Sequence, residues 1–230
     1  MIRLYVFCEG FTEQAFVKLV LQPHLFPAWD IHVEPILIAH SRRRGVVHRG
    51  GVGSYAVMRH DMARTLKQHS SGDVRFSTMI DLYKLPGDFP GKAGHSPIPG
   101  NPTPYVETLE RRFATDIDDR RFVPYLQLYE YETLLFSNPE AFRVAFDSCD
   151  RAIQEFQRII ASVPSIEHIN DGENTAPSKR IIMQLPRYSG EKVTAGTSIA
   201  AAIGIDVLRQ QCPHFDTWVG RLESLRDGGI

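Results

Sequence analysis

Residues 2–16 read IRLYVFCEGFTEQAF. The run from Ile2 to Cys8 is apolar and aromatic, too short for a helix, and closes on Gly10, which marks a buried strand. Thr12 then offers an N-cap, Glu13 and Gln14 suit the positive end of a helix dipole, and Phe16, Leu19 and Val20 recur at helical spacing. Strand, turn and helix therefore meet at Glu9. In an open parallel sheet the carboxyl ends of neighbouring strands lie along one edge, where ligands bind, so acids far apart in sequence can gather there.

Two further apolar runs end in acids. Val74 to Leu82 carries Asp81 after FSTMI, and Phe122 to Tyr129 delivers Glu130, with Glu132 two residues on. An aspartate closing an apolar run is costly near a core unless it is paired, capping or ligating. Glu130 and Glu132 would face the same way in an extended strand and diverge at a helix start, so only one of them is expected to be a ligand. Glu9 is open to two readings, a metal ligand or a solvated turn residue. Glu13 reads more simply as a first-turn acid that serves the helix dipole or a cap. Three or four carboxylates suffice for one or two Mg²⁺ ions, and a pair of ions about 4 Å apart suits phosphodiester hydrolysis. Glu9, Asp81, Glu130 and Glu132 are thus the candidate metal ligands, and Glu13 joins them as a candidate catalytic group.

The remaining elements fall around these strands. Trp29 to Ala39 reads as a second strand, HSRRRGVVHRGGVGSY as a basic flexible loop, and Ser54 to His69 as a helix. The segment from Lys84 to Pro104 is too rich in Pro and Gly for a helix or an internal strand, and a loop of such length tends to be functional. A helix starts near Pro104. Beyond Leu134 the pattern is helical, with breaks expected at Gly196, Gly204 and Pro213. The fold class is α/β, with residues 1–137 forming a core of a largely parallel central sheet flanked by helices, and residues 138–230 a helical C-terminal part packed on it. Within that part, Thr197 to Cys212 has Ala200 and Gly204 at helix-turn-helix spacing, but Arg209 is its one basic residue, which favours a packing role.

A chain of 230 residues, 43% hydrophobic and 23% charged, can bury a full core. The net charge of −1 argues against retention of nucleic acid by bulk positive charge and directs attention to local sites. Arg42, Arg43 and Arg44 in one loop, and Lys179, Arg180 and Lys192 downstream, are candidate phosphate contacts or else a solvated face. Three cysteines without CxxC spacing fit a reducing cytoplasm rather than a disulfide framework or a zinc site. The N-terminus lacks a signal-peptide pattern, and no apolar run approaches the roughly 20 residues of a membrane span. HExxH, P-loop and GxGxxG motifs are absent.

CEGFTEQAF resembles the EGxTE signature that opens the Toprim domains of overcoming-lysogenization-defect nucleases. IDLYKLPGDFPG and LQLYEYETLLFS are similar to the bacterial family termed domain of unknown function 4276. The likeness continues through PSKR, Tyr188 with Lys192, and IAAAIGIDVLRQQCPHFDTWVGRLESL. The resemblance implies a Toprim-like fold whose acids bind Mg²⁺ or Mn²⁺ to cleave or join nucleic-acid backbones. Under it Glu9 matches the Toprim glutamate, Glu13 the second acid of the signature, and Asp81 the first aspartate of a DxD pair. Tyr83 stands where the second aspartate would be, which removes a ligand unless Glu130 or Glu132 compensates. A nuclease acting on DNA or RNA is the implied activity, in anti-phage or mobile-element defence with a partner ATPase in trans. The alternative is a non-catalytic module that binds nucleic acid or that ATPase.

Overall fold

The computed structural model describes residues 1–43, 46–49, 53–94, 96, 98, 101–169, 172 and 174–226. Its centre is a parallel sheet built from β1 (Ile2–Cys8), β2 (Ile31–Leu37), β5 (Val74–Asp81), β6 (Phe122–Val123) and β7 (Leu126–Gln127). The order is β2-β1-β5, with β6 and β7 both against the far side of β5. Cys8 lies opposite both Leu37 and Met79, and Asp81 opposite Gln127, so the carboxyl ends of β1, β5 and β7 share one edge.

Strand alternation divides the core into two layers. Leu4, Val6 and Cys8 of β1 face one hydrophobic cluster, while Tyr5 and Phe7 face the other. The second cluster is covered by α3 (Tyr55–Gln68), through Met58 and Met62, and by α4 (Thr103–Ile117), through Val106, Leu109 and Phe113. The first is covered by the helical stretch α1 (Phe11–Phe16), a π-helical turn (Val17–Leu21) and α2 (Gln22–Trp29). Pro23 has no N–H for the carbonyl four residues before it, and the turn just ahead of it widens to π geometry.

Short 3₁₀ turns follow β7, and then α5 (Asp150–Ala161), α6 (Pro177–Gln184), α7 (Tyr188–Ile203), α8 (Ile205–Gln211) and α9 (Pro213–Glu223) join the same first cluster. Helices break at Gly204 and Pro213 as expected, but α7 runs through Gly196. A glycine costs a helix only about 1 kcal/mol, which packing readily outweighs. The stretch expected as a flexible basic loop contains an antiparallel pair, β3 (Ala39–Arg43) and β4 (Val46–Arg49), with Arg42 opposite Val47 and Arg43 opposite Val46. Two adjacent β-branched valines favour extended backbone, and that preference wins over the glycines and arginines around them. Arg209 pairs with Asp216 at 2.5 Å and with Glu223 at 2.7 Å, which fastens α8 to α9. The three cysteines are free and buried. Among the described residues no helix is long and apolar enough to cross a membrane.

The last strand, expected as one piece from Phe122 to Tyr129, is instead broken at Pro124 and Tyr125. Proline cannot donate to a ladder, and the side chains of β5 bridge the gap. Ser77 Oγ donates to the Val123 carbonyl at 2.6 Å, while Thr78 Oγ1 donates to the Tyr125 carbonyl and accepts its N–H, both at 2.9 Å. Trp218 of α9 donates from Nε1 to Ser77 Oγ at 2.8 Å and stacks on Tyr125 with ring centroids 4.2 Å apart. A buried Thr78→Val change keeps the volume and strands the Tyr125 amide and carbonyl. It should cost roughly 1–3 kcal/mol for each group left unpaired, read by thermal or denaturant unfolding, and Thr78→Ser should recover most of the loss.

Candidate functional site

The edge where β1, β5 and β7 end holds five buried carboxylates: Glu9, Glu13, Asp81, Glu130 and Glu132. Each is anchored by a specific partner. Glu9 follows β1 directly, and its Oε2 accepts the Asp81 N–H at 3.0 Å. Asp81 closes β5, and its Oδ1 accepts the Tyr131 N–H at 2.9 Å. Glu130 Oε2 accepts the Ser178 N–H at 2.9 Å, in the first turn of α6, where the helix dipole favours a negative charge. Glu13 sits in the first turn of α1 and its Oε2 accepts the Gly10 N–H at 2.8 Å, the carboxylate half of a capping box. Glu132 Oε1 meets Lys192 Nζ at 3.0 Å and accepts from Tyr188 OH at 3.4 Å.

Both Glu130 and Glu132 turn inward, which corrects the expectation that only one would. Tyr129 takes a left-handed conformation, φ 60°, just before them. That turn leaves Glu130 extended at φ −140°, ψ 158° and starts a 3₁₀ helix at Tyr131, so neither the pure strand nor the pure helix geometry applies. Tyr83, two residues after Asp81, is 42% exposed. Of the basic candidates, Lys192 neutralises Glu132, Lys179 is exposed in the first turn of α6, and Arg180 donates from Nε to the Thr175 carbonyl at 2.7 Å. Arg42 and Arg43 belong to β3, and Arg44 lies outside the described residues.

Lys84 and two tyrosines complete the site and were not anticipated. Lys84 follows Asp81 by three residues, and its Nζ stands 3.7 Å from Glu9 Oε1. Its place directly after an acid-terminated strand was the available signal. Tyr131 donates from its hydroxyl to the Gly196 carbonyl at 3.1 Å, and a Cβ on Gly196 would lie 3.0 Å from Tyr188 Oη and 3.3 Å from Tyr131 Cε1. Gly196 thus lets α7 close over the acids, a demand of close approach that no periodicity signals.

Among the described residues, five carboxylates against two lysines leave the site short of positive charge. Burial raises the Glu9 carboxyl above the usual range despite the opposing pull of Lys84 and the Asp81 amide, and burial followed by Glu9, Glu13 and Glu132 raises Asp81 strongly. Glu13 is pushed up to about 7 by burial and by Glu9 and Glu132. Burial presses the Lys84 ammonium down, but Glu9 and Asp81 outweigh it and raise it. The donor set is all hard carboxylate oxygen, the chemistry of Mg²⁺ or Mn²⁺. Among the described residues no three acidic, imidazole or thiol groups converge tightly enough to hold an ion as they stand. Oδ2 of Asp81, Oε1 of Glu13 and Glu130, and Oε2 of Glu132 carry no hydrogen bond among the described residues, so the fit lies in charge and donor type.

The family model described as domain of unknown function (DUF4276) matches residues 8–223, which takes in all five acids and both lysines. The chain belongs to the DUF4276 family. The match begins at Cys8, beside Glu9, and ends within α9, so the family unit includes both the sheet edge and the helices that close it. No curated protein and no solved structure matches this DUF4276 chain.

Because folding raises the Glu13 carboxyl from 4.5 to about 7, the folded protein holds an extra proton between those values and loses stability as pH rises through them. Glu13→Gln retains an acceptor for Gly10 and removes this titration. In metal-free buffer the melting temperature of the wild type should fall by several degrees relative to Glu13→Gln between about pH 5 and about pH 7.5, and calorimetry that finds a constant gap would contradict the assignment.

Proposed function

We propose that this DUF4276 protein is a Toprim-like, Mg²⁺- or Mn²⁺-dependent nuclease that hydrolyses phosphodiester bonds of DNA or RNA. The observation that carries the reading is the excess, among the described residues, of five buried carboxylates over two lysines at the carboxyl edge of a parallel sheet. Such a site is completed by a cation, and a hard divalent one matches its oxygens. Glu9, Asp81, Glu130 and Glu132 would hold the ion, which when bound polarises a phosphoryl oxygen and makes water a nucleophile near neutral pH.

The chain's own groups take the remaining roles. Glu13 holds the turn at Gly10, and its carboxyl, raised to about 7 by burial and by Glu9 and Glu132, can hold a proton near neutral pH. Lys84, with its side chain half in solvent, meets a substrate phosphate, and Lys179 extends that contact at the start of α6. Lys192 and Tyr188 hold Glu132 in place. The resemblance to nucleases that act beside an ATPase supports a partner ATPase in trans, a role in anti-phage or mobile-element defence, and a cytoplasmic location.

One observation favours a second reading. Four of the acids already hold backbone amides, so the cluster could serve as a fastener in a non-catalytic module that binds nucleic acid or the ATPase. Supercoiled plasmid, single-stranded DNA and RNA incubated with Mg²⁺ or Mn²⁺ separate the two. The nuclease reading expects cleavage that Asp81→Asn lowers about 100-fold or more, the rate equivalent of several kcal/mol, with the fold intact because asparagine still accepts from Tyr131. Absence of cleavage with or without the ATPase, together with no Mg²⁺ binding by calorimetry, establishes the module instead.

A further inference from the structure

Beside the acids the same edge presents two large aromatic rings to solvent. Phe11 opens α1 two residues after Glu9 and is 62% exposed, and Tyr83 lies two residues after Asp81 at 42%. β1 and β5 are adjacent, with Cys8 opposite Met79, so both segments leave the sheet at the same end. One exposed aromatic is ordinary, and leaving one in water forgoes roughly 1.5–3 kcal/mol of burial. Two at equivalent places, each following an acid of the cluster, form a pattern that packing does not explain. Among the described residues neither ring meets another aromatic side chain, whereas Phe16 and Tyr131 meet edge to face and Tyr125 stacks on Trp218. Lys84 Nζ stands 5.4 Å from the Tyr83 ring centre and 3.7 Å from Glu9 Oε1, which puts a cation, an open ring and a candidate metal ligand within one side chain's reach.

We propose that this edge receives an unpaired nucleotide strand, with Phe11 and Tyr83 each stacking on a base and Lys84 meeting the backbone phosphate. The inference rests on the reading of the acid cluster as a phosphodiester site and adds its substrate class. A duplex hides its base faces in its own stack, whereas an unpaired strand offers them to flat rings without regard to sequence. Three features of the protein agree with this. Its net charge of −1 supplies no bulk attraction for a duplex backbone, the basic groups at the acids among the described residues are single lysines, and the rings are open to bases.

The test uses the full chain with Ca²⁺ in place of Mg²⁺ and short fluorescein-labelled single-stranded DNA, single-stranded RNA and matching duplex, followed by anisotropy. Single strands should bind more tightly than duplex. Phe11→Ala and Tyr83→Ala should each weaken single-strand binding roughly 5- to 100-fold, and Tyr83→Phe should retain it. Tyr83→Trp should add an emission that a bound single strand quenches. The DNA and RNA arms distinguish the two sources of unpaired strand. Equal affinity for duplex, or alanine variants that match the wild type, overturns the inference, and cleavage in Mg²⁺ by the same protein would leave the nuclease reading intact. Conversely, ring-dependent strand binding without cleavage upholds the strand site while the nuclease reading fails.

Discussion

Burial of like charges is the constraint on which the site depends. Carboxylates from the ends of β1 and β5, the turn after β7 and the first turn of α1 occupy one buried region, where burial and neighbouring acids hold the Asp81 and Glu13 carboxyls above their usual range. The fold tolerates this by tying the acids to backbone amides in relay: Glu9 to the end of β5, Asp81 to the turn after β7, and Glu130 to α6. The groups that define the candidate chemistry are therefore also the pins that join sheet to helices. Removing a pin and removing a charge are different perturbations, and amide-for-acid changes separate them.

The helices past residue 138 are part of this arrangement. α6 turns its positive end toward Glu130, and α7 supplies Lys192 and Tyr188 to Glu132. α9 is tied to the sheet centre through Trp218 on Ser77 and Tyr125, and Glu167 accepts both the His214 and Phe215 amides at its start, at 3.0 and 3.1 Å. The sheet places the acids, while the helical part determines how far they are desolvated.

Much of this was legible in the chain itself. The apolar run to Cys8, the turn at Gly10 and a helix after it occur as read, although that helix is capped at Gly10 and Thr12, expected as its cap, lies inside it; acids at strand ends mark the candidate site because strand polarity alone brings such ends together. The hidden parts depend on long-range geometry. The pairing of β3 with β4 and the break at Tyr125 rest on bonds between distant backbones, and β5 hydroxyls repair the latter. Glu130 and Glu132 converge only because Tyr129 reverses the chain in a conformation uncommon for a bulky side chain. Lys84 and Tyr188 reach the acids across elements, and local propensity carries no record of such contacts.

The broken last strand has a further consequence. β6 and β7 are two residues each, interrupted by Pro124, and the opposite border strand β2 contains Pro35. Short segments and prolines make poor templates for another chain's backbone, so the borders of the sheet resist the strand-to-strand recruitment that drives β-aggregation. Self-association through sheet extension is thereby discouraged, and a protein with little net charge to keep its copies apart gains a safeguard built into its backbone.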